Sequence, residues 1–99
     1  MIKFSVDELL ETLVAEKEAP TIYSQLIVLN DDFNTFDWVI QSLMEVCSHT
    51  YEQSEQLSLI VHFKGKACVM TDGFDVLKPM KDALTERGIS AVIETLVKD

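Results

Sequence analysis

The sequence predicts an α+β sandwich: a three-stranded antiparallel sheet with helices on one face, in the order β-α-α-β-α-β, preceded by an N-terminal amphipathic helix. Three observations predict it. Short apolar, β-type runs occur at Tyr23–Leu29, Lys66–Thr71 and Ile89–Val97. Between them, apolar residues return every three or four positions, the spacing of one helix face. Helix-start and helix-stop residues bracket those segments, and 99 residues with 47% hydrophobic content suffice for one buried core.

Each element has its own local reason. Ser5-Val-Asp-Glu8 is a capping-box pattern, and Val6, Leu9, Leu10, Leu13 and Val14 share a stripe, so Ser5 to Glu18 reads as a helix ended by Pro20. Residues 1–20 are thus an arm and 21–99 the core domain. A helix this short is marginal alone and either docks or frays. After the strand at Tyr23–Leu29 comes a polar loop, Asn30–Asn34. Thr35 is placed to N-cap the next helix, with Asp37 complementing the dipole in its first turn. Phe36, Val39, Ile40, Leu43, Met44 and Cys47 form its inward face, up to Ser48. Thr50-Tyr-Glu-Gln53 is a second capping box, opening a helix that runs through Leu57, Ile60 and Val61 and stops at Gly65. Asp72-Gly73 is a turn. The helix after it places Leu77, Met80, Ala83 and Leu84 inward and ends at Arg87-Gly88. Pro79 fits there only in a first turn or at a kink.

Seventeen acidic and eight basic residues give a net charge of −9. That excludes a nucleic-acid binder, whose phosphate contacts need a basic face, and suits cationic ligands or partners as well as simple solubility. No apolar run approaches the roughly 18–20 residues of a membrane span, and no signal core follows Met1, so a cytoplasmic location is expected. Cys47 and Cys68 form no motif; in a reducing compartment both read as small core residues.

The chemistry concentrates after the first strand. Asn30, Asp31 and Asp32 read equally as a turn with Asx-type hydrogen bonds and no ligand. A metal loop is a second possibility, with Asp31, Asp32, Asn34 and Asp37 as oxygen donors. The run lacks the alternation, central Gly and closing Glu of a calcium loop, so no metal and no cofactor is expected. His62 reads first as a capping or core histidine. A Cys–His nucleophile pair, Cys68 or Cys47 with His62 or His49, lacks a nucleophile elbow and an orienting third residue, so no catalytic residue is assigned. Ser58, Val61 and His62 lie at i, i+3 and i+4 and share a helix face. If that face borders the Asn30–Asn34 loop, a small cavity results. Asn30, Asp31, Asp32 and His62 would ring its mouth, and Phe36, Val39 and Val61 would form its floor. Such a cavity suits a polar head carrying an apolar group.

Two stretches carry a resemblance: Leu29-Asn30-Asp31-Asp32-Phe33-Asn34-Thr35-Phe36-Asp37-Trp38-Val39-Ile40, and Gln56-Leu57 with Val61-His62-Phe63-Lys64-Gly65-Lys66-Ala67. In both, the sequence resembles the ClpS adaptors, which deliver N-degron substrates to the Clp ATP-dependent protease; the likeness spans about Ile22 to Glu94. The family's fold is in turn similar to the C-terminal domain of the ribosomal stalk protein. The resemblance implies a non-enzymatic adaptor. Its partners would be N-degron substrate peptides and the N-terminal domain of a Clp AAA+ unfoldase, with Lys78 as an unfoldase contact.

The resemblance further implies that Asn30, Asp31, Asp32 and His62 hold the α-amino group of a substrate's first residue. The chemistry is consistent: an ammonium offers three donors and needs about three acceptors. A neutral imidazole is required, so binding should weaken as pH falls through the range where histidine ordinarily titrates, about 6–7. Acetylation would leave acceptors unpaired. The first side chain would enter a pocket walled by Asn34, Phe36, Val39, Ser58, Val61 and Ile89. Burying Leu, Phe, Tyr or Trp contributes roughly 2–3 kcal/mol, which with the amine grip gives micromolar affinity or better. Positions 36 and 58 usually carry Met in the family; Phe36 is larger and stiffer, Ser58 smaller and polar, so the pocket's shape should differ. A helical arm would depart from the family's disordered one. The alternative is a protein-interaction module of the same fold that binds no degron.

Overall fold

Strand β1 (Thr21–Leu29) is the centre of the sheet. The computed structural model describes residues 21–98; the expected arm of residues 1–20, with its helix over Ser5–Glu18, lies outside the described residues. After β1 come helix α1 (Phe36–Cys47), helix α2 (Tyr51–Lys64), strand β2 (Lys66–Asp72), helix α3 (Phe74–Glu86) and strand β3 (Ala91–Lys98). The sheet order is β2-β1-β3 and both pairings are antiparallel. The described residues therefore have the expected α+β architecture.

Caps set the helix ends. Thr35 accepts from the Trp38 N–H and opens α1. At α2 the box is complete: the Gln53 N–H donates to Thr50 Oγ1 at 3.1 Å, and the Thr50 N–H donates to Gln53 Oε1 at 3.0 Å. Gly65 closes α2 with φ at 90°, a left-handed position that costs glycine nothing, and its N–H donates to the Val61 carbonyl. Helix α1 also ends left-handed, at Ser48 with φ 57°. Pro79 sits neither in the first turn of α3 nor at its end. It removes the bond its N–H would have given the Asp75 carbonyl, a loss water can make good because Asp75 is exposed.

One core joins the inner face of the sheet to the helices: Leu26 and Val28 from β1, Ala67 and Val69 from β2, Leu43 and Cys47 from α1, Val61 from α2, and Leu77 and Leu84 from α3. Burying each large aliphatic side chain contributes roughly 1.5–3 kcal/mol. Two expectations are corrected, one on α1 and one on β2. Phe36 and Met44 lie at the edge of the inward face of α1 and stay 38% and 37% exposed, because the buried stripe narrows to Ile40, Leu43 and Cys47. Ile60 is likewise exposed, and the buried face of α2 runs through Ser54, Ser58 and Val61. Cys68 is an exposed residue, since strand alternation turns Ala67 and Val69 to the core and Cys68 away from it.

Candidate functional site

Register brings three separate segments to one end of the sheet. Val28, near the end of β1, pairs with Ala67 near the start of β2 on one side and with Ala91 at the start of β3 on the other. The loop leaving β1 must therefore pass between the C-terminus of α2 and the residues that enter β3. Two backbone bonds pin it there: the Asn30 N–H donates to the Gly65 carbonyl at 2.8 Å, and the Leu29 N–H to the Ser90 carbonyl at 2.9 Å.

The loop's own shape is set by Asp31. One carboxylate oxygen accepts the backbone N–H groups of Phe33 and Asn34, each at 2.9 Å. The Asn34 amide donates to both Asp31 oxygens and also to the Gly88 carbonyl at 2.8 Å, tying the loop to the turn after α3. Partial burial pushes the Asp31 pKa up, but hydrogen bonds from Asn34, Phe33 and Ser90 together outweigh it and hold the carboxyl below its ordinary value. Gly88 has φ at 82°, a position where a side chain would be strained. Next to this turn, Trp38 Nε1–H donates to the Arg87 carbonyl at 3.0 Å while the Arg87 guanidinium lies 5.5 Å from the indole centroid. Arg87 also reaches Glu45 at 3.2 Å. Helix α1 is thereby fastened to the end of α3 beside the loop.

A cavity of about 520 Å³ opens at this end of the sheet. Asn30, Asp32 and His62, all exposed, line its mouth together with half-buried Asp31. Buried Val61 and Ile89 line its depth, with Val39 half-buried, Ser58 buried, and Phe36 and Asn34 on the loop side. All ten residues singled out from the sequence for the amine grip and the pocket thus line one cavity. His62 packs edge-to-face on Phe63, their ring centroids 5.0 Å apart. Lys78 lies elsewhere, on α3, with Nζ 2.7 Å from both Asp82 carboxylate oxygens.

Four lining residues were not singled out from the sequence: Val28, Leu29, Leu59 and Phe63. Each adjoins a strand end or a chosen helix position, and only the folded register shows that it borders the cavity. The remaining thiol and imidazole groups are held apart from this site. Burial pushes the Cys47 thiol up to about 11, which leaves it protonated. His49 Nε2–H donates to the Val69 carbonyl at 2.6 Å. Among the described residues, no three His, Cys, Asp or Glu side chains gather as a metal site would require, and no helix is long and apolar enough to cross a membrane.

Comparisons with known proteins converge on one family. The family model "ATP-dependent Clp protease adaptor protein ClpS" matches residues 18–97. The ATP-dependent Clp protease adapter proteins ClpS of Salmonella paratyphi B and Salmonella newport are each 36% identical over 61 residues. That match spans 62% of this chain and 58% of each relative's own length. Agrobacterium tumefaciens ClpS2, solved bound to L-phenylalaninamide, shares the fold with a TM-score of 0.62 at 23% identity, covering 81% of this chain and 100% of that one. With the family model matched over most of its length, the chain belongs to the ClpS family of Clp protease adaptors.

Proposed function

We propose that the cavity at the end of β1 binds the free first residue of a protein substrate, and that the chain passes this substrate to a Clp AAA+ unfoldase without itself performing catalysis. The observation that carries the proposal is the lining of that single cavity: exposed oxygen and nitrogen acceptors at the mouth, apolar side chains below. The α-ammonium sits at the mouth. Asp32 supplies the carboxylate, Asn30 an amide oxygen and neutral His62 a ring nitrogen, three acceptors for three donors. Asp31 acts mainly by shape, because both its carboxylate oxygens already hold the loop that carries Asn30 and Asp32. The side chain of the first residue enters between Phe36, Val39, Val61 and Ile89, where a large unbranched group excludes water from the most apolar surface. A volume of about 520 Å³ accommodates one such side chain with its backbone, and β-branched or charged residues match it poorly. Handover would use another surface, and Lys78, exposed on the outer side of α3, is our candidate for the unfoldase contact.

The test is fluorescence anisotropy with peptides differing only at residue one. Leu- or Phe-initiated peptides should bind at micromolar concentration or tighter, while Met-initiated and N-acetylated versions bind at least tenfold more weakly. Asp32→Ala and His62→Ala should each remove most of that discrimination. Equal affinity for all peptides, or for none, would eliminate the proposal and leave a degron-independent interaction module of this fold.

A further inference from the structure

Alternation along β1 puts Ile22, Ser24, Leu26 and Val28 on the face that the helices cover. Ser24, Leu26 and Val28 are buried there, yet Ile22 is 68% exposed and its cross-strand partner Val97 63% exposed. The helical cover therefore ends between Ser24 and Ile22, at the end of the sheet opposite the cavity. More apolar surface is open at that end. Asp72, the last residue of β2, pairs with Ser24, so α3 starts here, and Phe74 and Val76 in its first turn are exposed. An aliphatic pair left in water on the core side of a sheet is surface whose burial would stabilise the fold.

The geometry points to the N-terminal arm as the cover: residues 5–18 form an amphipathic helix whose apolar stripe docks on Ile22 and Val97 and closes the open end of the core. Val6, Leu9, Leu10, Leu13 and Val14 recur at helical spacing, while Glu8, Glu11 and Glu18 fall on the other side. A helix of this length is marginal alone, so its stripe needs an apolar surface to pack on. The tether decides which surface it meets. Pro20 forces Ala19 out of helical geometry, and these two residues span at most about 7 Å. Leu13 and Val14 lie about 6–8 Å further along the helix axis. They thus stay within about 15 Å of the start of β1, whereas the cavity lies beyond the nine residues of the strand, about 30 Å away.

A linker this short holds the helix beside Ile22 at an effective concentration of order millimolar, which a second copy or a separate protein would have to match in solution. The opposite face of the sheet is the poorer surface. There Val92 and Leu96 are less exposed, and the polar cross-strand pair Gln25 and Glu94 lies between them. Charge also favours the end of the sheet: docking brings Lys17, on the stripe side of the helix, toward exposed Asp72 and Asp75. The arm is then a fourth helix of the core domain, and a partner that takes hold of it must first lift it from Ile22 and Val97.

The test is methyl NMR on the full chain labelled at Ile, Leu and Val. Nuclear Overhauser contacts should join Leu13 and Val14 to Ile22 and Val97, and should persist on about tenfold dilution because the tether travels with the helix. In Leu13→Asp these contacts should vanish and amide exchange over residues 22–24 should rise by about tenfold or more. Glu11→Gln, on the charged side, should change neither. Absence of any contact between arm and core, contacts to Val92 and Leu96 instead, or survival of the contacts in Leu13→Asp would each overturn the inference. So would contacts between separately labelled chains in a mixed sample, which would mean that a second copy fills the place. If Leu13→Asp does not fold, the contacts in the natural chain decide by themselves.

Discussion

Replacing Asp31 with Asn should loosen the loop that carries the mouth of the cavity, and the effect should depend on pH in a defined way. The carboxylate accepts from two backbone N–H groups and twice from the Asn34 amide. An Asn side chain at position 31 keeps one acceptor but turns a second donor toward Asn34, so at least one bond is lost and one donor faces another. Charge-assisted bonds contribute about 1.5–3 kcal/mol when shielded from water. The loop faces solvent on one side, which reduces the net loss to about 1–2 kcal/mol. Because the folded-state pKa of Asp31 lies below its ordinary value, its contribution is fully present above the unfolded carboxyl pKa near 4. It is lost as pH falls through the lower folded value. Urea denaturation at pH 7 should therefore place Asp31→Asn about 1–2 kcal/mol below the natural chain, and the gap should shrink steadily below pH 4, where a protonated carboxyl resembles an amide. A gap that is absent at pH 7, or unchanged at pH 3, would refute the assignment of Asp31 as the loop's organiser.

Four further outcomes are expected. Native-state labelling with a thiol reagent should modify Cys68 quickly and Cys47 only on unfolding, since Cys47 is 3% exposed with its thiol pushed up to about 11; two equally fast thiols would contradict the burial. Gly88→Ala, at φ 82°, should destabilise the fold by about 1 kcal/mol and, through the Asn34–Gly88 bond, weaken peptide binding by a larger factor than Thr50→Ala does; equal effects would sever the link between that turn and the site. Thr50→Ala should lower stability by about 1 kcal/mol in thermal denaturation with first-residue selectivity unchanged. Ser48→Gly should raise stability by about 0.5–1 kcal/mol, because Ser48 occupies the left-handed region at φ 57° without glycine's freedom.

What could be read from the sequence was local. The capping box at Thr50 and Gln53, the Thr35 cap and the Gly65 stop are all set by residues within four positions of one another, and all formed as expected. Likewise, Ser58, Val61 and His62 fall on one side of α2 because helix geometry fixes their spacing. What could not be read depends on partners distant in the chain. The Asn34 amide is spent on Gly88, 54 residues away, and Trp38 on Arg87, 49 residues away, and no periodicity announces such pairs. Strand β1 shifts register against β2 between Leu26 and Ile27, an irregularity without a sequence signal. Cys68 looked like core because Ala67 to Met70 is an unbroken apolar run, and only the pairing decides which alternate face the helices cover. Asp31 and Asp32 are adjacent and chemically identical, yet one is built into the loop and the other is exposed at the mouth, with no hydrogen bond among the described residues. That division of labour follows from the turn's geometry rather than from composition.

The most direct test of where the first residue binds is a backbone amide NMR titration with L-phenylalaninamide, the smallest probe that carries both a free α-amine and an aromatic side chain. Binding in the cavity requires the shifted amides to cluster in residues 30–36, 58–65 and 88–90, the three segments that converge at the end of β1. Shifts centred on another surface, or none at millimolar ligand, would contradict it.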